Sequence, residues 1–175
     1  YHPHLDIRYG KKDPNCDCKT LCFGCGMDKK YLHSTLIYLL KRFMEYSKKR
    51  NIKPILMYGN LIGYYFNGKM LPWDDDIDLI IVGESIKNMD NYEGEDFIIE
   101  INPYSSIYDE RDTQNKISGR VISKINGIFI DLTFYIEKDG YLICKDGNKF
   151  LKDDVIPPEG EDKIDRKSTR LNSSH

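Results

Sequence analysis

Residues 72–81 read Pro72-Trp73-Asp74-Asp75-Asp76-Ile77-Asp78-Leu79-Ile80-Ile81, and they follow the turn sequence Tyr58-Gly59-Asn60-Leu61-Ile62-Gly63. Four carboxylates in five positions lead directly into a β-branched apolar segment. Because side chains alternate along a strand, Asp76 and Asp78 are expected on one face and Ile77 and Leu79 on the other. Two like charges held that close cost free energy unless a cation lies between them. The stretch therefore predicts a site for Mg²⁺ or Mn²⁺ and a phosphate-bearing substrate.

Two other interpretations of the acidic stretch compete with this one. A run of aspartates is often a solvated loop. An EF-hand calcium loop starting at Asp74 would have Leu79 in place of the glycine at its sixth position and Ser85 in place of the glutamate at its twelfth. The apolar continuation after Asp78 indicates a buried strand, which favours the metal and phosphate interpretation.

A third acid is available further along the chain. Asp131 is the one charge within the apolar and aromatic segment Gly127–Tyr135. A charge buried there needs a partner, and a cation held by Asp76 and Asp78 would supply it. The alternative is an aspartate that faces water from an edge strand.

Four residues are candidates for binding phosphate. Gly59 precedes a helix predicted over Leu61–Asn67, and it would let the backbone approach phosphate at a helix N-terminus. Asn60 can donate a hydrogen bond to phosphate. Arg120 carries a planar fork that matches phosphate oxygens, and Lys69 would steer an anionic donor. For Arg120 and Lys69 the alternative is a solvated surface cation. Trp73 is expected to pack under the acidic loop, the alternative being that it stacks on a base or a sugar.

The motif Gly59-x-Leu61-x-Gly63 followed by Pro72-Trp73-Asp74-x-Asp76-x-Asp78 resembles the LicD family, which includes fukutin and its relatives. A fungal branch similar to mannosylphosphate-transfer proteins is indicated by His4–Tyr9, Ile101–Tyr104, Asn115–Arg120, Gly127–Leu132, Cys144–Gly147 and Asp154–Pro157 in this order. The chain departs from the family pattern at Asn60, where Ser or Thr is usual.

The resemblance implies an α/β (α+β) fold: a nucleotidyltransferase-like mixed β-sheet with flanking helices, expected to be truncated at the C-terminus. It also implies transfer of a phospho-alcohol or sugar phosphate, such as mannose phosphate, to a glycan hydroxyl. The donor would be a nucleotide diphosphate of the GDP-mannose or CDP-alcohol type. Asp76, Asp78 and Asp131 would be catalytic metal ligands for Mg²⁺ or Mn²⁺, and Asp74 a supporting acid.

Two alternatives to this enzyme stay open. One is a non-catalytic regulatory or glycan-binding relative with the same fold, and the other is a nucleotidyltransferase that uses a nucleoside triphosphate. The resemblance also implies the secretory pathway, with the Golgi lumen as the expected compartment. A membrane anchor would then belong to an N-terminal part that this sequence lacks.

The composition and the two terminal segments of the sequence indicate the extent and the charge of the domain. The tail Asp165–His175 reads as the translation of a sequencing adapter and not as natural sequence, the alternative being a basic disordered tail. The net charge of −2 becomes −4 without the tail's three basic residues and one acid. An acidic domain argues against binding nucleic acid. We expect a Cys-rich lead over residues 1–27 and an incomplete LicD domain over 28–160.

The lead contains four cysteines close together, Cys16, Cys18, Cys22 and Cys25. Their spacing allows a tight zinc knuckle, local disulfides or reduced thiols. Because LicD relatives work in the oxidising secretory pathway, the resemblance favours disulfides. Cys144 stands apart and is expected to pack within a strand.

The predicted elements are one long helix, two short helices and six strands. Leu32, Leu36, Leu39, Leu40 and Phe43 form an apolar face at helical spacing, which predicts a helix over Asp28–Arg50. Hairpin turns are predicted at Asn126-Gly127 and Asp139-Gly140, and a short helix with a loop over Ser85–Gly94. The strands are predicted over Ile55–Tyr58, Asp76–Val82, Phe97–Ile101, Lys116–Lys124, Ile128–Ile136 and Tyr141–Cys144.

Overall fold

A computed structural model describes residues 28–109 and 117–156. Its helices are α1 (Lys29–Lys49), α2 (Tyr58–Asn67), a 3₁₀ helix (Gly83–Asn88) and α3 (Lys152–Val155). Its strands are β1 (Ile55–Leu56), β2 (Asp78–Val82), β3 (Tyr92–Glu93), β4 (Phe97–Ile101), β5 (Gly119–Ser123), β6 (Phe129–Lys138), β7 (Tyr141–Ile143) and β8 (Lys149–Leu151).

The strands form one open mixed sheet. Its order is β1-β2-β6-β5-β4-β3, with β7 and β8 added beyond the far end of β6. The pair β2–β6 is parallel and the other pairs are antiparallel. The expected mixed sheet with flanking helices is therefore confirmed, and β6 lies in its interior between β2 and β5.

Helix α1 covers one face of this sheet. Leu32, Leu36, Leu39 and Phe43 are buried and pack over β5 and β6, as the helical spacing predicted. Asp28 caps the helix because its side chain accepts a hydrogen bond from the Lys30 backbone N–H (2.7 Å). The core under α1 contains Ile77, Leu79 and Ile81 from the segment after the aspartates.

Alternation along β2 sends the remaining side chains to the opposite face. There Ile80 and Val82 pack with Met57, Tyr135 and Leu142 in a second apolar cluster. Asp78 begins the same row, two residues before Ile80. The Asp78 side chain therefore projects from the face of the sheet opposite α1.

Both predicted hairpin turns are present. Gly127 has a φ of +75° in the turn that joins β5 to β6. Asp139 (φ +52°) and Gly140 (φ +75°) form the two-residue turn between β6 and β7. Two consecutive residues with positive φ are what a tight turn of the I′ type requires.

Several element boundaries differ from those predicted, and β8 and α3 were not predicted. Strand β2 begins at Asp78 and not at Asp76, because the Asn60 side chain binds the Asp78 N–H and the Asp76 carbonyl in place of a neighbouring strand. Helix α2 begins at Tyr58 and not at Leu61. The segment after β2 forms the 3₁₀ helix and then the short strand β3.

The remaining expectations concern packing and parts outside the described residues. Cys144 is buried just after β7, in agreement with its predicted packing role. The Cys16, Cys18, Cys22 and Cys25 cluster and the tail 165–175 lie outside the described ranges, so those interpretations stay predictions. Within the ranges described, no helix is both long and apolar enough to cross a bilayer.

Close packing of α2 against the following loop yields a prediction for Gly63. A Cβ at Gly63 would lie 2.6 Å from the Lys69 carbonyl oxygen, a contact that only a backbone shift can relieve. We expect Gly63→Ala to lower the free energy of unfolding by about 1–3 kcal/mol, measured by urea denaturation. Ile62→Ala is the control because Ile62 is 52% exposed on the same helix. Equal stabilities of the two variants would contradict the packing.

Candidate functional site

A row of charged residues crosses the face of the sheet opposite α1. Asp78 on β2 is paired in register with Asp131 on β6, and Asp131 with Arg120 on β5. Arg120 is in turn paired with Glu100 on β4. Asp131 therefore lies beside Asp78 on the same face of an interior strand, and the alternative of a water-facing edge aspartate is excluded.

The acidic loop is attached to helix α2 through Asn60. This side chain is 7% exposed. It donates from Nδ2 to the Asp76 carbonyl oxygen (3.0 Å), and its Oδ1 accepts from the Asp78 N–H (2.8 Å). A third contact joins Nδ2 to Asp74 Oδ2 at 3.5 Å. Asn60 thus fixes the backbone from which Asp76 and Asp78 project.

Helix α1 holds the other side of the same loop. His33 Nε2 donates to the Asp74 carbonyl oxygen (2.6 Å). Lys29 Nζ donates to the Trp73 carbonyl oxygen (3.3 Å) and lies 3.7 Å from Asp75 Oδ2. The loop is therefore clamped between the first turns of two helices.

Gly59 brings the helix backbone close to an acid. A Cβ at Gly59 would lie 3.0 Å from Asp74 Oδ2, so the glycine is what allows the Asp74 carboxylate to approach. A carboxylate at the start of α2 is favourably placed for the helix dipole. The preceding residue, Tyr58, has a φ of +53°, a conformation that is uncommon for a side chain of its size. In the structure Asp74 is the group that approaches the Gly59 backbone, and a phosphate contact at Gly59 or Asn60 stays a prediction.

The carboxylates of this site affect one another's ionisation. Burial, followed by the charges of Asp76, Asp131 and Asp74, raises the pKa of Asp78 to about 6. Partial loss of hydration also raises the pKa of Asp76, and the charges of the neighbouring acids raise it further, although its side chain stays exposed. Four acids at one end of the sheet thus form a region where added positive charge would be stabilising.

Arg120 brings a positive charge to the Asp131 end of the site. Its Nε donates to Asp131 Oδ1 (2.5 Å) and its Nη2 to Asp131 Oδ2 (3.4 Å). Burial raises the pKa of Asp131, and the charge and hydrogen bonds of Arg120 oppose that rise. The structure thus gives Arg120 an internal partner where the sequence suggested a phosphate, and a phosphate contact stays a prediction.

The donor chemistry of the site fits a hard divalent cation, since carboxylate oxygens that repel one another are suitable ligands for Mg²⁺ or Mn²⁺. Asp76 and Asp78, with Asp131 beside them, are the residues that would hold such an ion. Among the described residues, however, no group of three acids, histidines or cysteines is arranged to bind a metal. The engagement of Asp131 by Arg120 is a physical reason for this.

Lys69 and Trp73 occupy exposed positions. Lys69 is exposed just after the end of α2, and its role as a donor-steering cation stays a prediction. Trp73 is 71% exposed, so the expectation that it packs under the loop is wrong. The loop is held instead by hydrogen bonds from Lys29, His33 and Asn60 to its backbone, and the Trp73 indole lies in solvent.

Sequence reasoning missed the roles of Lys29 and His33. The two residues are four apart and therefore lie on one face of α1. That spacing is the only local signal, and it does not reveal that this face meets the acidic loop. The positioning role of Asn60 was also missed, because an asparagine near a turn has many ordinary functions.

Comparison with known proteins places these features in context. Residues 51–159 match the family described as LicD/FKTN/FKRP, nucleotidyltransferase domain. Mannosyltransferase regulator 4 of Saccharomyces cerevisiae is 25% identical over 118 residues, which cover 61% of this chain and 10% of that protein. Mannosyltransferase regulator 14 of the same yeast is 25% identical over 118 residues, covering 61% of this chain and 13% of that protein. The chain thus spans only about a tenth of the length of these relatives.

The bridging role of Asn60 can be tested by truncating its side chain. Asn60→Ala leaves the Asp78 N–H and the Asp76 carbonyl without their partner, which costs about 1–3 kcal/mol of unfolding free energy. Urea denaturation measures the loss. Asn67→Ala is the matched control, since Asn67 is exposed on the same helix. A loss no larger than that of the control would contradict the bridge.

The raised pKa of Asp78 predicts a dependence of stability on pH. A folded-state pKa of about 6, above the usual 3.8, means that the folded protein binds this proton more tightly than the unfolded chain. Stability from this group is present below about pH 4 and is lost as the pH rises through about 6. Two pK units are about 3 kcal/mol, and solvent screening reduces the effect to roughly 1–2 kcal/mol.

Asp78→Asn removes that titration. In metal-free buffer we expect the variant and the wild type to differ little near pH 4 and the variant to be more stable by roughly 1–2 kcal/mol near pH 7. Asp75→Asn, at a side chain that is 71% exposed, is the control. A constant difference between wild type and Asp78→Asn across this pH range would refute the assignment.

Proposed function

Because the chain belongs to the LicD/FKTN/FKRP family of nucleotidyltransferase domains, we propose that it transfers a phosphate-linked group from a nucleotide diphosphate donor to a glycan hydroxyl. Family membership and the two yeast relatives support a glycan-modifying role that is phosphotransferase-like or regulatory. The finer proposal is transfer of a sugar phosphate, such as mannose phosphate, or of a phospho-alcohol, in the secretory pathway.

The observation that carries this proposal is the in-register pairing of Asp78 with Asp131, next to Asp76. Asp131 is distant in the chain from the other two acids, and the three meet on the sheet face opposite α1, near the start of α2. An anionic diphosphate would be repelled by them unless a cation intervened. When bound, Mg²⁺ or Mn²⁺ would neutralise charge on the transferring phosphoryl group and on the departing nucleotide.

Residues of this chain would position the acids and supply the base for the acceptor hydroxyl. Asn60, His33 and Lys29 fix the acidic loop, so the side chains of Asp76 and Asp78 need little reorganisation before they act. The acceptor hydroxyl needs a carboxylate close to the reacting phosphorus as its base. Asp74, beside Gly59 at the start of α2, is our candidate for this base.

A regulatory role is the second candidate, and two observations favour it. The yeast relatives are named regulators of a mannosyltransferase. In addition, the described residues contain no ready group of three metal ligands. A protein of this kind would keep the fold and bind a partner enzyme or a glycan without performing transfer.

An assay with a nucleotide diphosphate sugar separates these candidates. We expect consumption of GDP-mannose, or of a CDP-alcohol, in the presence of a mannan-type acceptor and Mn²⁺. Asp76→Asn is expected to reduce the rate at least about 100-fold because it removes a charge from the ion site. Asp75→Asn, outside that site, is expected to retain activity.

Three outcomes would contradict the transferase. Turnover that is equal in Asp76→Asn and in the wild type would place the chemistry elsewhere. Release of diphosphate from a nucleoside triphosphate would identify a nucleotidyltransferase instead. A folded protein with no turnover of any donor would favour the regulatory role.

A further inference from the structure

The ion pair between Arg120 and Asp131 is the most deeply buried one among the described residues. The side chains are 5% and 18% exposed. The guanidinium carbon lies 3.8 Å from the centre of the Phe129 ring, so the charged group is stacked as well as hydrogen-bonded. The other described ion pairs involve at least one side chain that is more than a quarter exposed.

We propose that Arg120 is a positioning residue that acts as the resident counter-cation of Asp131, so that a divalent ion at the site must compete with the guanidinium for this carboxylate. The inference rests on the proposed function, because it requires an ion held by Asp76 and Asp78. It assigns Arg120 to the control of ion binding and not to contact with the donor.

The geometry favours competition between the guanidinium and the ion for the Asp131 carboxylate over binding of both at once. The guanidinium contacts both oxygens of Asp131, although the contact to Oδ2 is long (3.4 Å). The Phe129 ring holds the guanidinium in place, and Glu100 lies next to Arg120 in the strand register. Because Arg120 is nearly enclosed, its charge remains close to any ion that Asp131 would help to bind.

Two opposing effects accompany the loss of Arg120. Removing a unit charge about 5 Å from a divalent cation strengthens binding by roughly one to five orders of magnitude for effective dielectric constants between about 80 and 20. Losing a hydrogen bond that orients a ligand weakens binding by about 10–100-fold. A single substitution therefore mixes the two effects, and a pair of substitutions is needed to separate them.

Arg120→Met and Arg120→Lys form that pair. Both variants lose the planar fork, while only Arg120→Met also loses the charge. We expect Arg120→Met to bind Mn²⁺ at least about 10-fold more tightly than Arg120→Lys, measured by calorimetry. Arg42→Met and Arg42→Lys are the matched controls, because Arg42 forms a similar pair with Asp96 (2.6 Å) far from the acids.

A second measurement uses the wild-type protein and does not depend on how the variants fold. In ¹H–¹⁵N spectra of the arginine Nε–H groups, saturating Mg²⁺ should shift the Arg120 signal and hasten its exchange with water. The Arg42 signal should not change, since its partner Asp96 is not part of the ion site.

The outcomes distinguish this inference from the proposed function. Equal Mn²⁺ affinities of Arg120→Met and Arg120→Lys, or an unchanged Arg120 signal at saturating Mg²⁺, would overturn the inference alone. Absence of ion binding by the wild type and by every folded variant at millimolar concentration would overturn the inference together with the metal-dependent transferase. Tighter Mn²⁺ binding by Arg120→Met than by Arg120→Lys, together with an Arg120 Nε–H signal that shifts at saturating Mg²⁺, would support the inference.

Discussion

Mutual repulsion among carboxylates is the constraint that shapes this end of the molecule. Asp74, Asp76, Asp78 and Asp131 face one region, and the pKa of Asp78 is raised to about 6, first by burial and then by the charges of the other three acids. The structure holds the acids together by hydrogen-bonding the backbone that bears them. Asn60 and His33 bind main-chain groups of the loop, so the side chains of Asp76 and Asp78 are not needed to hold it in place.

Much of the fold follows from local patterns in the sequence. The spacing of Leu32, Leu36 and Phe43 predicted α1, and strand alternation predicted that Ile77, Leu79 and Ile81 share one face of the sheet. Glycine and asparagine or aspartate pairs predicted the two hairpins. These features are predictable because periodicity and turn chemistry act within a few residues.

Features of the site that depend on long-range contacts were not predictable in the same way. The sequence indicated that Asp131 needs a partner, but it did not identify Arg120, since the strand register that pairs them becomes visible only in the sheet. Likewise, nothing local shows that His33 meets the Asp74 carbonyl. The family resemblance indicated which acids matter, whereas their mutual arrangement depends on tertiary packing.

The antiparallel pairing of β5 with β6 has a consequence for the order in which the sheet assembles. Arg120 and Asp131 are joined by a short hairpin, whereas Asp78 reaches Asp131 only after a long excursion of the chain. Local contacts form at a lower entropic cost than distant ones. The hairpin can therefore neutralise its own acid early, and β2 then docks beside a strand whose charge is already balanced. In this way an early local event removes an obstacle to the slow, distant pairing that completes the sheet.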